Sequence, residues 1–184
     1  ITTFEKYCKD KKFDKTFFVD TPAIYDIKTD QTLNYLLHWQ KYKIEEYYIS
    51  SIIDIRLNND SLEFLHARKK RYVKSYLEDN DLTIKWKNDF DQFYPILVDN
   101  KKKHNVTPTH SLDELVKLNE LHPGKLHLLL LYHKKILIGG TLNFIINRKC
   151  GMVFYNMISY NYSSLQPATI QIYESINWAK EYNL

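Results

Sequence analysis

The chain has 184 residues, of which 44% are hydrophobic and 26% charged, and its formal net charge is +4. This composition excludes a disordered chain, and the length suits one well-packed domain, or one domain with a piece of another. The small positive charge does not identify a nucleic-acid binder, and no apolar run reaches the length of a membrane span.

The first residues, ITTFEKYCKD, contain no initiator Met and no apolar signal segment, so we expect an internal fragment of a longer protein. Cys8 and Cys150 lie far apart without metal-ligand spacing. They predict two reduced thiols in a cytoplasmic protein, with a single disulfide as the alternative. The histidines form no zinc pattern, so no metal site is expected.

The first third of the chain favours helices. Apolar residues recur at helical spacing in TDQTLNYLLHWQKYKIEEYYISSI after a possible Asp30 cap, which predicts one long helix through Ile44, Tyr47 and Tyr48. The segment SLEFLHARKKRYVKSYLEDN predicts a second helix with a basic face.

From Leu82 onward the pattern changes. LTIKW alternates as a strand does, and DFDQFYPILVDNKKKH predicts a helix from an Asp89 cap with Pro95 near its start or at a kink. Ser111 and Glu114 have the spacing of a capping box, which predicts a further helix over LDELVKLNEL.

Three strands and a helix complete the chain. KLHLLLLY, KILIGGTLNFIIN and GMVFYNMIS are joined by short turns, which predicts an antiparallel meander. Gly139 and Gly140 within the second of these strands indicate a bulge or a close approach of ligand backbone. The last helix is predicted from about Pro167 to Tyr182.

This order of elements, and four local phrases, resemble the FemAB-like branch of the GNAT acyltransferase superfamily. The phrases are ARKKRYVKSYLEDNDLTIKW, FYPILVDNKKKHNVTPTHSLDELVKL, ILIGGTLNF and LQPATIQIYESINWAKEYNL. The resemblance implies an α/β fold with a mixed, mainly antiparallel sheet flanked by helices. It further implies that residues 62–184 form a GNAT-like domain lacking its C-terminal strands, and that residues 1–61 end a preceding GNAT-like half.

The resemblance also implies a function. Such folds transfer an acyl group from acetyl-CoA or another acyl-CoA, or from aminoacyl-tRNA, to an amine. We therefore expect an acyltransferase in the cytoplasm whose acceptor is a small molecule or a precursor of a glycan or of the cell envelope. The acyl donor would lie where the fourth and fifth strands splay apart.

Candidate catalytic residues are His104, His110 and Tyr155. The two histidines bracket the segment HNVTPTH, and either could accept a proton near neutral pH. A loop histidine is more often solvated, and Tyr155 is equally a strand aromatic packed on the sheet. The backbone near Tyr155 and Asn156 is where the resemblance places the N–H that stabilises a developing oxyanion.

Candidate cofactor-binding residues lie in the fourth strand and in the loop that leads into the last helix. They are Phe154, Asn156, Ser164, Gln166, Ala168 and Thr169. A helix start can hold a phosphate on its free N–H groups, although the same junction can be an ordinary corner. The loop departs from the family because it contains no Gly, and Pro167 has no N–H to donate.

Two other functions remain open. A GNAT-like half without catalysis would bind a ligand or partner, which the missing glycines would suit. An RNA-binding module would use the basic run HARKKRYVK, with Tyr72 and Tyr76 for stacking. The ordinary interpretation of that run is a solvated helix face.

Overall fold

A computed structural model describes residues 2–26, 28 and 30–184. The chain divides into two compact units, Ile1–Ile52 and Ile53–Leu184. No helix in the described part of the chain is long and apolar enough to cross a membrane. The assignment of residues 1–61 to a preceding half-domain stays a prediction.

The first unit contains helices α1 (Thr2–Asp10) and α2 (Thr32–Trp39). The predicted long helix is wrong beyond Trp39, because Lys41 adopts a left-handed φ of 62° and no helix follows up to Ile52. Asp30 does accept a hydrogen bond from Thr32 N–H at 2.8 Å. The helix ends because side chains further along, such as the 83% exposed Tyr47, bury too little area to stabilise it.

The second unit contains the predicted order of elements. Its helices are α3 (Ala67–Glu78), α4 (Phe90–Lys102), α5 (Leu112–Leu121) and α6 (Pro167–Glu181). Its strands are β1 (Leu82–Trp86), β2 (Leu126–His133), β3 (Ile136–Asn147) and β4 (Cys150–Ile158). The strands form one antiparallel sheet in the order β1-β2-β3-β4, so the predicted meander is confirmed.

The sheet is buried on both faces. On one face, Phe93 and Leu97 of α4 and Leu115 of α5 pack against β2, β3 and β4. On the other, Ile170 of α6 packs against Leu129 and the strands around it. The run of leucines in β2 serves both faces, because alternate side chains of a strand point to opposite sides.

Side chains fix where two helices of this unit begin. Asp89 accepts a hydrogen bond from Gln92 N–H at the start of α4. Both hydrogen bonds of the predicted capping box between Ser111 and Glu114 form at the start of α5. Pro95 lies inside α4 on its exposed side.

Gly139 and Gly140 lie under the two helix layers. A Cβ on Gly139 would be 2.1 Å from Gln171 Nε2 of α6, and one on Gly140 would be 2.7 Å from Phe93 Cδ2 of α4. The register also shifts next to them, so that Ile138 is an extra residue opposite β2. The predicted bulge is therefore confirmed, and protein side chains make the close approach.

A half-buried pair connects α3 to α6. Tyr76 Oη donates to Glu174 Oε1 at 3.1 Å. Burial raises the pKa of the Glu174 carboxyl above its ordinary value of 4.5, while hydrogen bonds from Tyr76 and Asn177 oppose the shift. Folding therefore favours the protonated form of this carboxyl.

This pair predicts a pH-dependent effect of Glu174→Gln. A raised folded-state pKa contributes stability below the unfolded pKa, and that stability is lost as pH rises through the folded value. The variant keeps a neutral hydrogen-bond acceptor, so its free energy of unfolding should exceed that of the wild type at about pH 7 but not at about pH 4. Urea denaturation at both pH values measures the difference.

Glu181→Gln is the matched control, since Glu181 is exposed near the end of the same helix. Its effect should stay below about 0.5 kcal/mol at both pH values. An equal effect of Glu174→Gln at the two pH values would contradict the assignment.

Candidate functional site

Strand β4 forms one edge of the sheet. Among the described residues, no strand pairs with its outer side. Its register with β3 also shifts, because Tyr155 lies opposite Leu142 and Val153 lies opposite Asn143. Phe154 is left over as the extra residue of a bulge, which bends the strand beside the predicted site.

The hydrogen bonds at the end of β4 show which backbone groups face outward. Ser159 N–H donates to Ile138 O at 2.7 Å, so Ile158 and Asn156 belong to pairs whose N–H and C=O groups point away from β3. The Asn100 side chain of α4 confirms this for Ile158, because it donates to Ile158 O and accepts from Ile158 N–H. The Asn156 N–H therefore faces the open edge.

Two predicted catalytic residues meet beside this edge. His110 Nδ1 lies 3.1 Å from Tyr155 Oη, within hydrogen-bond distance. His110 directly precedes the capping box of α5, which fixes the chain at this point. Tyr155 is buried, and burial raises the pKa of its hydroxyl, so the hydroxyl is protonated at neutral pH.

The side chain of Asn156 connects β4 to the start of α6. Its Oδ1 accepts from Thr141 Oγ1 at 3.2 Å, and its Nδ2 donates to Ala168 O at 3.3 Å. This contact lies on the α6 face of the sheet, whereas Tyr155 packs on the α4 face. At the β4 edge, the His110 and Tyr155 pair thus lies on the α4 face of the sheet, and the contact of Asn156 with Ala168 lies on the α6 face.

The start of α6 has few free N–H groups. Gln166 precedes it in the left-handed conformation, with φ 56° and ψ 44°. Pro167 has no N–H, and Thr169 N–H donates to Gln166 O at 2.9 Å, so Ala168 supplies the N–H that remains in these first three positions. Gln166 Oε1 accepts from Lys69 Nζ at 2.8 Å. These residues do not fit the pyrophosphate of CoA in the usual manner.

Of the remaining predicted residues, two are exposed and one packs against His110. His104 is exposed after α4, and its side chain has no hydrogen-bond partner in the described part of the chain. Ser164 is exposed in the short 3-10 helix before α6. The Phe154 ring packs 5.6 Å from the His110 ring, measured between centroids.

Sequence reasoning missed Asn100 and the contact of Lys69 with Gln166. Asn100 follows Phe93 and Leu97 on the buried side of α4, so a polar residue at an apolar helical position was the available signal. Lys69 lies 97 residues from Gln166, and no local pattern could connect them.

No metal site emerges from the described ranges, since they hold no group of three or more His, Cys, Asp or Glu side chains that could bind an ion. Cys8 and Cys150 are both free thiols.

The fold is similar to that of a solved protein. The structure described as "Crystal structure of FemX" matches 98% of this chain and 65% of its own chain, with a TM-score of 0.66 and 11% sequence identity. The predicted fold class is confirmed: a mixed α/β fold with an antiparallel sheet flanked by helices. The chain spans 65% of the length of the FemX chain. No protein-family model matches the chain, and no curated protein matches it.

The contacts of Asn156 predict a loss of stability in Asn156→Ala. The substitution removes both hydrogen bonds and leaves the fully buried Thr141 hydroxyl without its acceptor. The free energy of unfolding should fall by about 1–3 kcal/mol. Chemical denaturation measures it, with Asn161→Ala, at an exposed residue of the short 3-10 helix before α6, as the control. A change as small as that of the control would contradict these contacts.

Proposed function

We propose that this chain carries the acyl-transfer site of a cytoplasmic transferase, which moves an acetyl or aminoacyl group to an amine. The observation that carries the proposal is the outward-facing Asn156 N–H beside the His110 and Tyr155 pair. The similarity to FemX supports a Fem-type transferase fold. The two free thiols suit a reducing compartment such as the cytoplasm.

Asn156, His110 and Tyr155 each have a role in the proposed reaction. The acceptor amine attacks the acyl carbonyl carbon, and the Asn156 N–H donates to the oxyanion that develops there. His110 Nδ1–H donates to Tyr155 Oη, which leaves Nε2 to take the proton from the amine. The bond to the leaving group then breaks, and the imidazolium returns that proton to the departing thiolate or alkoxide.

The acyl donor must fit the backbone groups at the start of α6. That helix start offers a poor cradle for pyrophosphate, because Pro167 and Thr169 contribute no free N–H. An aminoacyl-tRNA places no pyrophosphate there, so this geometry favours it over acetyl-CoA. The proposed acceptor is an amine on a small molecule or on a precursor of a glycan or of the cell envelope, as the family resemblance implies.

A non-catalytic GNAT-like binding domain is the second candidate, and the same poor cradle favours it. The RNA-binding alternative loses one of its stacking residues, because Tyr76 is half-buried and bonded to Glu174. Lys70 of the basic run is also paired with Glu63 at 2.8 Å.

The catalytic proposal predicts that His110→Gln lowers the rate of transfer by about 100-fold or more, since it removes a general base. The assay supplies labelled acetyl-CoA or aminoacyl-tRNA with amine acceptors and measures the acylated product. His122→Gln, an exposed histidine at the end of α5, is the matched control and should keep the wild-type rate.

Thermal shift separates the donors, because a ligand that binds the folded state raises the melting temperature. A shift with acetyl-CoA supports the thioester donor, and a shift with aminoacyl-tRNA alone supports the aminoacyl donor. No transfer from either donor would reject the catalytic proposal in favour of the binding domain.

A further inference from the structure

A cleft lies where β1 ends, at the opposite edge of the sheet from Asn156. Its volume is about 470 Å³, which is within the range of about 300–1,000 Å³ for small-molecule sites. The cleft is lined by side chains from the end of β1, from α5 and from the start of β2. Those used below are Trp86, Lys87, Asn88, Asn119 and His127.

The wall of this cleft is an aromatic platform. Trp86 stacks on Trp178 of α6 with ring centroids 6.3 Å apart and planes 21° apart. Trp178 is only 4% exposed, whereas Trp86 is 42% exposed. Trp178 therefore packs against the Trp86 indole in an offset stack, while much of the Trp86 side chain remains exposed to a ligand. The negative face of an indole attracts polarised C–H groups.

Hydrogen bonds within the wall fix the polar groups beside this platform. Asn88 Nδ2 donates to Asn119 Oδ1 at 2.7 Å and to Leu126 O at 2.9 Å, and Asn88 Oδ1 accepts from Leu128 N–H at 2.8 Å. Asn88 is thus committed to the protein. The Asn119 amide is oriented by Asn88, and its NH₂ group keeps donors for a ligand.

His127 supplies an acceptor in the same cleft. Its Nε2 lies 3.2 Å from Gly124 O, and a carbonyl oxygen can only accept, so Nε2 carries the proton. Burial lowers the pKa of His127, which keeps the ring neutral at about pH 7 and leaves Nδ1 as an acceptor. A donor, an acceptor and an apolar platform therefore lie around one cleft.

We propose that this cleft binds a pyranose sugar, whose C–H face stacks on Trp86 while its hydroxyls bond to Asn119 and His127. Hydroxyls both donate and accept, as these two side chains require. A nucleotide fits less well, because Lys87 is the one lysine or arginine among the described residues that line the cleft, and it is bonded to Asp89 at 3.1 Å. The proposal does not rest on acyl transfer at β4.

Saturation-transfer NMR on the full 184-residue chain tests it, with N-acetylglucosamine as the probe and adenosine monophosphate as the competing class. We expect transfer to the sugar ring protons. Trp86→Ala should weaken the affinity about tenfold, which corresponds to the loss of one stacked contact. Trp39→Ala is the matched control, because Trp39 is an exposed tryptophan in the first unit, and it should bind as the wild type does.

Asn119→Ala is a second variant that does not disturb the stacked tryptophans, and it should weaken sugar binding as well. Three results would overturn the proposal: no transfer to the sugar, equal binding by Trp86→Ala and Trp39→Ala, or transfer to adenosine monophosphate alone. Each is independent of the transferase assay, since binding is measured without an acyl donor.

Discussion

The second unit depends on how closely two helices approach the middle of β3. Gly139 and Gly140 have no Cβ, so Gln171 of α6 and Phe93 of α4 reach the strand backbone from opposite faces. Gln171 Nε2 donates to Met157 O of the neighbouring strand, and Asn100, two turns along α4 from Phe93, bonds to Ile158. The same close packing therefore holds both helices against β4 and shapes the edge where the candidate site lies.

The two faces of the sheet differ in how they are stabilised. The face under α4 and α5 is an apolar cluster of aromatic and leucine side chains. Under α6, in contrast, several buried polar atoms have no hydrogen-bond partner among the described residues, namely both side-chain amide atoms of Asn143, Gln171 Oε1, Ser175 Oγ and Trp178 Nε1. The face under α6 thus combines apolar contacts with buried polar groups, whereas the face under α4 is mainly apolar.

Local patterns predicted the second unit well, because the change from helical to strand period at Leu82 and the capping box at Ser111 are short-range signals. They failed over Ile44 to Ile52, where helical spacing was present without a surface to bury it. His110 and Tyr155 were each named from the sequence. Their contact spans 45 residues and depends on sheet register, and so does the bulge at Phe154. No local sequence pattern contains the register of paired strands, so neither feature could be predicted from the sequence.

The composition of β4 distinguishes its edge from the other edge of the sheet. Exposed edge strands are usually protected by charges, and β1 at the other edge carries Lys85, with Lys87 just beyond its end. The nine residues of β4, CGMVFYNMI, include no charged side chain. Asn100 satisfies the backbone at Ile158, but the N–H and C=O of Asn156 remain outward. An uncharged edge with outward backbone groups suits an extended partner that adds to it as a further strand.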